Sequence, residues 1–161
     1  MADSTSVELV LVRHGIAVER ISGRDHPDRA LTDRGRARTR AVLEALVQRG
    51  VCMDHLISSP YRRALETAQM AREVGFAPTL AIDGRLRPNS ASLPDLMEEL
   101  AGRVALVGHE PDLSAMACRL LGMAPGQLVL KKAGVLHLHR SDGQWRLRAL
   151  LRPGLLLDTS A

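Results

Sequence analysis

Aromatic residues are almost missing from this chain: one Phe, one Tyr and one Trp in 161 residues. Readers of single-stranded nucleic acid stack bases on exposed rings, so this scarcity excludes that class of surface. The core must instead be built from Leu, Val, Ala and Met. Lysine is equally scarce, since all but Lys131 and Lys132 of the 22 basic residues are arginine. The arginines are spread along the chain with acidic residues between them, and no tract resembles a nucleic-acid arm. The net charge of +4 then reads chiefly as a solvated, arginine-rich surface. Two cysteines, Cys52 and Cys118, make no disulfide framework and no CxxC pair. The opening MADSTSVELVLV lacks the basic start and apolar stretch of a signal peptide, and no run approaches a membrane span. A reducing cytoplasm is expected, with no membrane or nucleic-acid partner.

What is present reads as one domain over 1–161, long enough to build a hydrophobic core. ELVLV at 8–12 is a short apolar run suited to a strand buried on both faces. A polar stretch over 19–31 reads as a long loop, and long loops in compact domains are often functional. Thr32 caps a predicted helix over 33–49, ended by Gly50. A strand at 54–58 follows, then a helix to about 74 with Ser59 as N-cap and Pro60 in its first position. TLAI at 79–82 is a weaker strand. Ser92 with Asp95 marks a helix that stops at Gly102. VALVG at 104–108 is another buried strand, and Pro111 opens a helix to about 121. Two further strands, 134–139 and 145–151, flank the turn signal Ser141-Asp142-Gly143-Gln144. Strands alternating with helices predict a three-layer α/β/α domain: a mostly parallel sheet, helices on both faces, and a C-terminal antiparallel hairpin.

In open α/β sheets ligands bind outside the carboxyl ends of the strands. Three strand-to-helix junctions bring polar residues to that edge: Arg13 and His14, then Arg62 and Arg63, then His109 and Glu110. Two histidines with two arginines suit a phosphoryl group. Arginine offers a planar fork to phosphate oxygens, and a neutral imidazole can attack phosphorus. Arginines also stabilise charge on the equatorial oxygens without a metal. His137 and His139 share a strand face, but no third ligand accompanies them, so a metal site is not expected.

LVRHG, SSPYRRALETA and LVGHEP, in that order, resemble the histidine phosphatase (phosphoglycerate-mutase-like) superfamily. ALTDRG at 30–35, GHEPDL at 108–113 and LKKAGVLHL at 130–138 resemble its SixA-type phosphohistidine phosphatases. The resemblance implies His14 as nucleophile, Arg13 and Arg63 as phosphate ligands, and His109 as the second histidine on the phosphoryl group. The family spacing selects Arg63 over Arg62. No cofactor is implied.

The resemblance also exposes a departure. Many members carry a glutamate acid between the motif halves, where this chain reads DGRLRPNSAS with no carboxylate beyond Asp83. An alkoxide's conjugate acid has a pKa near that of water, about 15.7, so an alkyl ester needs a proton donor. Imidazole, near 6.5, leaves with far less help. The expected reaction is therefore removal of phosphate from phosphohistidine in a protein, through phospho-His14. A small-molecule phosphatase acting on a sugar phosphate, nucleotide or polyphosphate is the alternative, and a non-catalytic anion-binding signalling module is the reading from another class. Short loops after the first connection favour an open site and a protein substrate. Asn89 and Ser90 are candidate phosphate donors, Glu110 and Asp112 candidate substitute acids, and Arg24 and Arg29 candidate contacts to the substrate's flank. A monomer is expected.

Overall fold

The structure, a computed structural model, describes residues 6–157. The first five residues, on which the leader reading rests, lie outside the described residues. Strand β1 (Val7–Arg13) stands near the middle of a six-stranded sheet. Around it come β2 (His55–Ser58), β3 (Leu80–Ile82), β4 (Gly102–Gly108), β5 (Val135–Ser141) and β6 (Gln144–Leu151). The order is β3-β2-β4-β1-β5-β6. The first four of these positions run parallel, while β5 is antiparallel to β1 and β6 to β5. This is the mixed α/β architecture expected.

Period-2 alternation explains why LVLV at 9–12 is apolar throughout. Val7, Leu9 and Leu11 join one core with Leu106, Leu136 and Leu138. Helices α3 (Leu93–Glu98) and α4 (Asp112–Leu121) cover that face. Val10 and Val12 point the other way, into a core with Leu56, Ala105 and Val107. There α1 (Asp33–Gln48), α2 (Arg62–Glu73) and a short α5 (Pro153–Leu157) form the cover. Cys118 is buried on α4, as its apolar position suggests. No helix among the described residues is long and apolar enough to cross a membrane.

Local signals act largely as read, with four corrections. Thr32 caps α1, its hydroxyl accepting from the Gly35 N–H at 2.9 Å. The hairpin turn places Asp142 (φ 51°) and Gly143 (φ 72°) in the left-handed region, the geometry of a type I′ turn. Ser59 and Pro60, however, do not open α2. Tyr61 occupies the N-cap without a side-chain cap, because the Ser59 hydroxyl is taken by the site. Helix α3 ends at Glu98, and Gly102 (φ 69°) starts β4 instead of stopping the helix. A second long connection, 122–134, joins α4 to β5, so the first loop is not the only extended one. Its LVL sequence mimics a strand, but Leu128 and Leu130 bury as loop residues. Helix α5 has no cap signal in the sequence and was not expected.

Candidate active site

The site is assembled where the first loop leaves β1. His14 follows the last residue of that strand and donates its backbone N–H to the Gly108 carbonyl at 3.1 Å. Gly15 then passes so close to α1 that a Cβ there would lie 2.1 Å from Thr39 Oγ1. Gly35 is required for the same crossing, since its Cβ would meet the Ile16 carbonyl at 2.1 Å. Thr67 of α2 receives the Gly15 N–H at 3.2 Å, and its own hydroxyl donates to the Arg63 carbonyl at 2.8 Å. Two glycines and one threonine thereby fix the backbone that aims His14.

His14 is 6% exposed, and its Nδ1 lies 2.7 Å from the Gly15 carbonyl. A carbonyl can only accept, so Nδ1 carries the proton and Nε2 keeps its lone pair. Arg63 donates to that Nε2 from Nε at 3.2 Å. Burial pushes the His14 pKa down to about 3, helped by His109, Arg63 and Arg13, against the Gly15 contact that favours the proton. His14 is thus a neutral imidazole with its unprotonated nitrogen turned into an electropositive cavity.

Arg63 is 2% exposed and donates to Asp25 Oδ2 at 2.9 Å from Nη2. Tyr61 lies under it, 5.0 Å from ring centroid to guanidinium carbon. Arg62 faces outward, bonded to Glu66, which also takes Arg36 and the Leu31 N–H. The structure therefore brings Arg63, not Arg62, to His14. Arg13 donates from Nη1 to the Leu130 carbonyl at 3.0 Å, while its Nε is buried without a partner among the described residues.

His109 stands beside His14 with ring centroids 5.2 Å apart. Its Nε2 is 2.8 Å from Ser59 Oγ, which also accepts the Tyr61 N–H at 3.2 Å. We assign the Ser59 hydroxyl as donor to Nε2, which leaves the proton on Nδ1. That Nδ1 is buried and unpartnered among the described residues. A buried unpaired donor costs about 1–3 kcal/mol, a cost that an anionic ligand removes. Burial and then Arg63 lower the His109 pKa to about 3, so this ring too is neutral.

These side chains line a cavity of about 360 Å³ with Arg20, Asp25, Arg29, Asn89, Glu110 and Lys132 among its walls. Asn89 reaches it from the connection after a 3-10 turn (Gly84–Leu86), its N–H held by Asp112 Oδ2 at 2.8 Å. Asp112 and Ser90 line a neighbouring groove instead. Arg29 is in the wall but Arg24 is not. Both wall carboxylates are engaged: Asp25 accepts from Arg63 and Arg29, and Glu110 Oε1 accepts the Ser114 N–H of α4 at 2.8 Å. Burial opposes the charge on Asp25, yet Arg63 and Arg29 hold its carboxyl below the usual range. Asp25, Ser59 and Lys132 were not picked out as site residues in the sequence. Asp25 could have been flagged by its four-residue spacing to Arg29 inside a long loop; Ser59 was concealed by its resemblance to a helix cap. His137 and His139, far from the cavity, satisfy themselves on Glu8 and Ser6. Among the described residues no group of three or more His, Cys, Asp or Glu could hold a metal ion.

An uncharacterised protein from a Picosynechococcus strain is 36% identical over 96% of each chain. A protein histidine phosphatase SixA complexed with tungstate shares the fold with a TM-score of 0.79 at 20% identity, covering 92% of this chain and 99% of the other. The mycobacterial glucosyl-3-phosphoglycerate phosphatase, in complex with VO3, gives 0.69 at 22%, covering 88% and 97%. The profile of the Histidine phosphatase superfamily (branch 1) matches residues 9–90, which hold Arg13, His14 and Arg63. With that match over more than half of the chain, the chain belongs to the histidine phosphatase superfamily.

Proposed function

We propose that this protein is a SixA-type phosphohistidine phosphatase, which removes phosphate from phosphohistidine in another protein. One observation carries the reading: a neutral His14 with an unprotonated Nε2 faces a cavity whose two wall carboxylates both serve as acceptors. Such a site supplies a nucleophile and a cationic cradle but commits no carboxyl to donating a proton. In the first step the Nε2 lone pair forms a bond to phosphorus and the substrate's P–N bond breaks. The bond pair leaves with the substrate imidazole, which needs only water as its proton source. Arg13, Arg63 and the Nδ1–H of His109 stabilise the three equatorial oxygens. Water then attacks phospho-His14, giving inorganic phosphate and the neutral imidazole. No cofactor or metal takes part in this scheme. The free thiols Cys52 and Cys118 agree with a reducing cytoplasm, and the reading takes the protein as a monomer that acts on neither nucleic acid nor membrane.

Glu110, in the cavity wall, supports a second reading as a phosphatase of small phosphate esters, with that carboxyl released to protonate an alkoxide. The same experiment weighs both. Labelled phosphohistidine peptide should leave an acid-labile, base-stable label on the wild type and none on His14→Ala. Turnover of glycerol phosphate comparable to that of the peptide, abolished in Glu110→Gln, would replace the first reading by the second. Phosphate release at the uncatalysed rate with both wild type and His14→Ala would leave only a binding module.

A further inference from the structure

Next to the phosphate cavity lies a larger one of about 720 Å³, with Arg13, Arg38, Lys131, Lys132 and Arg152 in its lining and no carboxylate. Arg13 and Lys132 line both cavities, so the two adjoin. Elsewhere several arginines are matched: Arg36 and Arg62 on Glu66, Arg40 on Glu73, Arg85 on Asp83 and Glu99. The side chains of Arg38, Lys131, Lys132 and Arg152 make no ion pair with another described residue. Four cations without an ion pair thus meet Arg13 in one groove that holds no carboxylate, where like charges repel and an anion relieves them.

Most of its lining comes from this chain's later half. The 122–134 connection brings both of the chain's lysines, Arg152 precedes α5, and α5 packs on α1, which carries Arg38. Apolar surface completes the lining through Ile16, Pro153 and Leu155, the last 79% exposed. A bare phosphate chain gains nothing from an exposed leucine. A peptide segment gains from both the cations and the apolar edge.

We propose that this groove docks an acidic stretch of the protein that carries the phosphohistidine, and so selects which phosphoprotein is served. The proposal rests on the phosphohistidine reading above, and its test separates the two. Two phosphohistidine peptides are compared, one with glutamates on both sides of the phosphohistidine and one with glutamines. The enzymes are the wild type, Lys131→Glu/Arg152→Glu and the milder Lys131→Ala/Arg152→Ala, both positions of change being surface-exposed. At low ionic strength the wild type should prefer the glutamate peptide by about tenfold in kcat/KM, with the preference shrinking as salt rises. The charge-reversed pair should lose it, the alanine pair should retain part of it, and the glutamine peptide should change by less than about twofold.

Binding of a fluorescent, unphosphorylated glutamate peptide is measured in parallel by anisotropy. If neither phosphopeptide is dephosphorylated but this binding is lost in the charge-reversed pair, the docking groove stands and the phosphohistidine reading falls. Equal binding to wild type and the charge-reversed pair overturns the groove. So does a result in which inorganic tripolyphosphate, but not the glutamate peptide, distinguishes the variants.

Discussion

His14 and His109 sit 5.2 Å apart and are both neutral, which gives this pair a measurable signature in the ligand-free protein. Each imidazole is harder to protonate folded than unfolded. Between pH 6.5 and about 3 the unfolded chain therefore binds more protons, and stability should be full above 6.5 and decline as pH falls toward 3. Urea melts across that range should show the decline, and His109→Gln should flatten it; a flat wild-type profile would contradict the assignment. Ser59 can be tested through the proton it places. Ser59→Ala should lower kcat by about ten- to a hundredfold, leave KM nearly unchanged, and move the His109 ring nitrogens in 15N spectra. Ser59→Thr should restore most of the rate, which a merely structural role for the residue would not require. Arg63→Ala should cost about a hundred- to a thousandfold, because it also strips Asp25 of its strongest partner. Arg62→Ala, on the outside, should cost almost nothing in rate.

At the level of elements, the crossing of the first loop over α1 is where activity and stability meet. Gly15→Ala would drive a methyl into Thr39, and Gly35→Ala one into the Ile16 carbonyl. Each should destabilise by about 1–3 kcal/mol, read as a lower midpoint in denaturant. Gly15→Ala should also reduce activity beyond what unfolding explains, since it displaces the segment that orients His14. The alternation of ELVLV, the Thr32 cap and the SDGQ turn were all legible, because each depends on residues within a few positions. So was the edge to which Arg13, His14, Arg63 and His109 converge, since strand-to-helix order dictates it. What could not be read was set by distant partners. Ser59 looks like a cap until His109 claims its hydroxyl, and Asp25 is one polar loop residue among many until Arg63 arrives from α2. The 122–134 connection departs from the short loops expected after the first, and its Leu128 and Leu130 are buried by packing on distant residues.

For the molecule as a whole, the position of β1 in the sheet has a consequence in time. Its residues 7–13 pair with 102–108 on one side, and residues 7–12 pair with 135–140 on the other. The strand that ends next to His14 is made before both of its neighbours, with about ninety residues between it and the nearer one. Pairing over such separations requires closing long loops before any contact rewards it, which slows folding. Refolding from denaturant should be slow, with recovery of phosphate-analogue binding no faster than recovery of the sheet. During synthesis, a ribosome halted after residue 101 would present His14 on a chain with neither neighbour of its strand, and hence with no cradle. His14 therefore stays outside its cradle until both β4 and β5 have been made, and the site closes only when the second of them arrives.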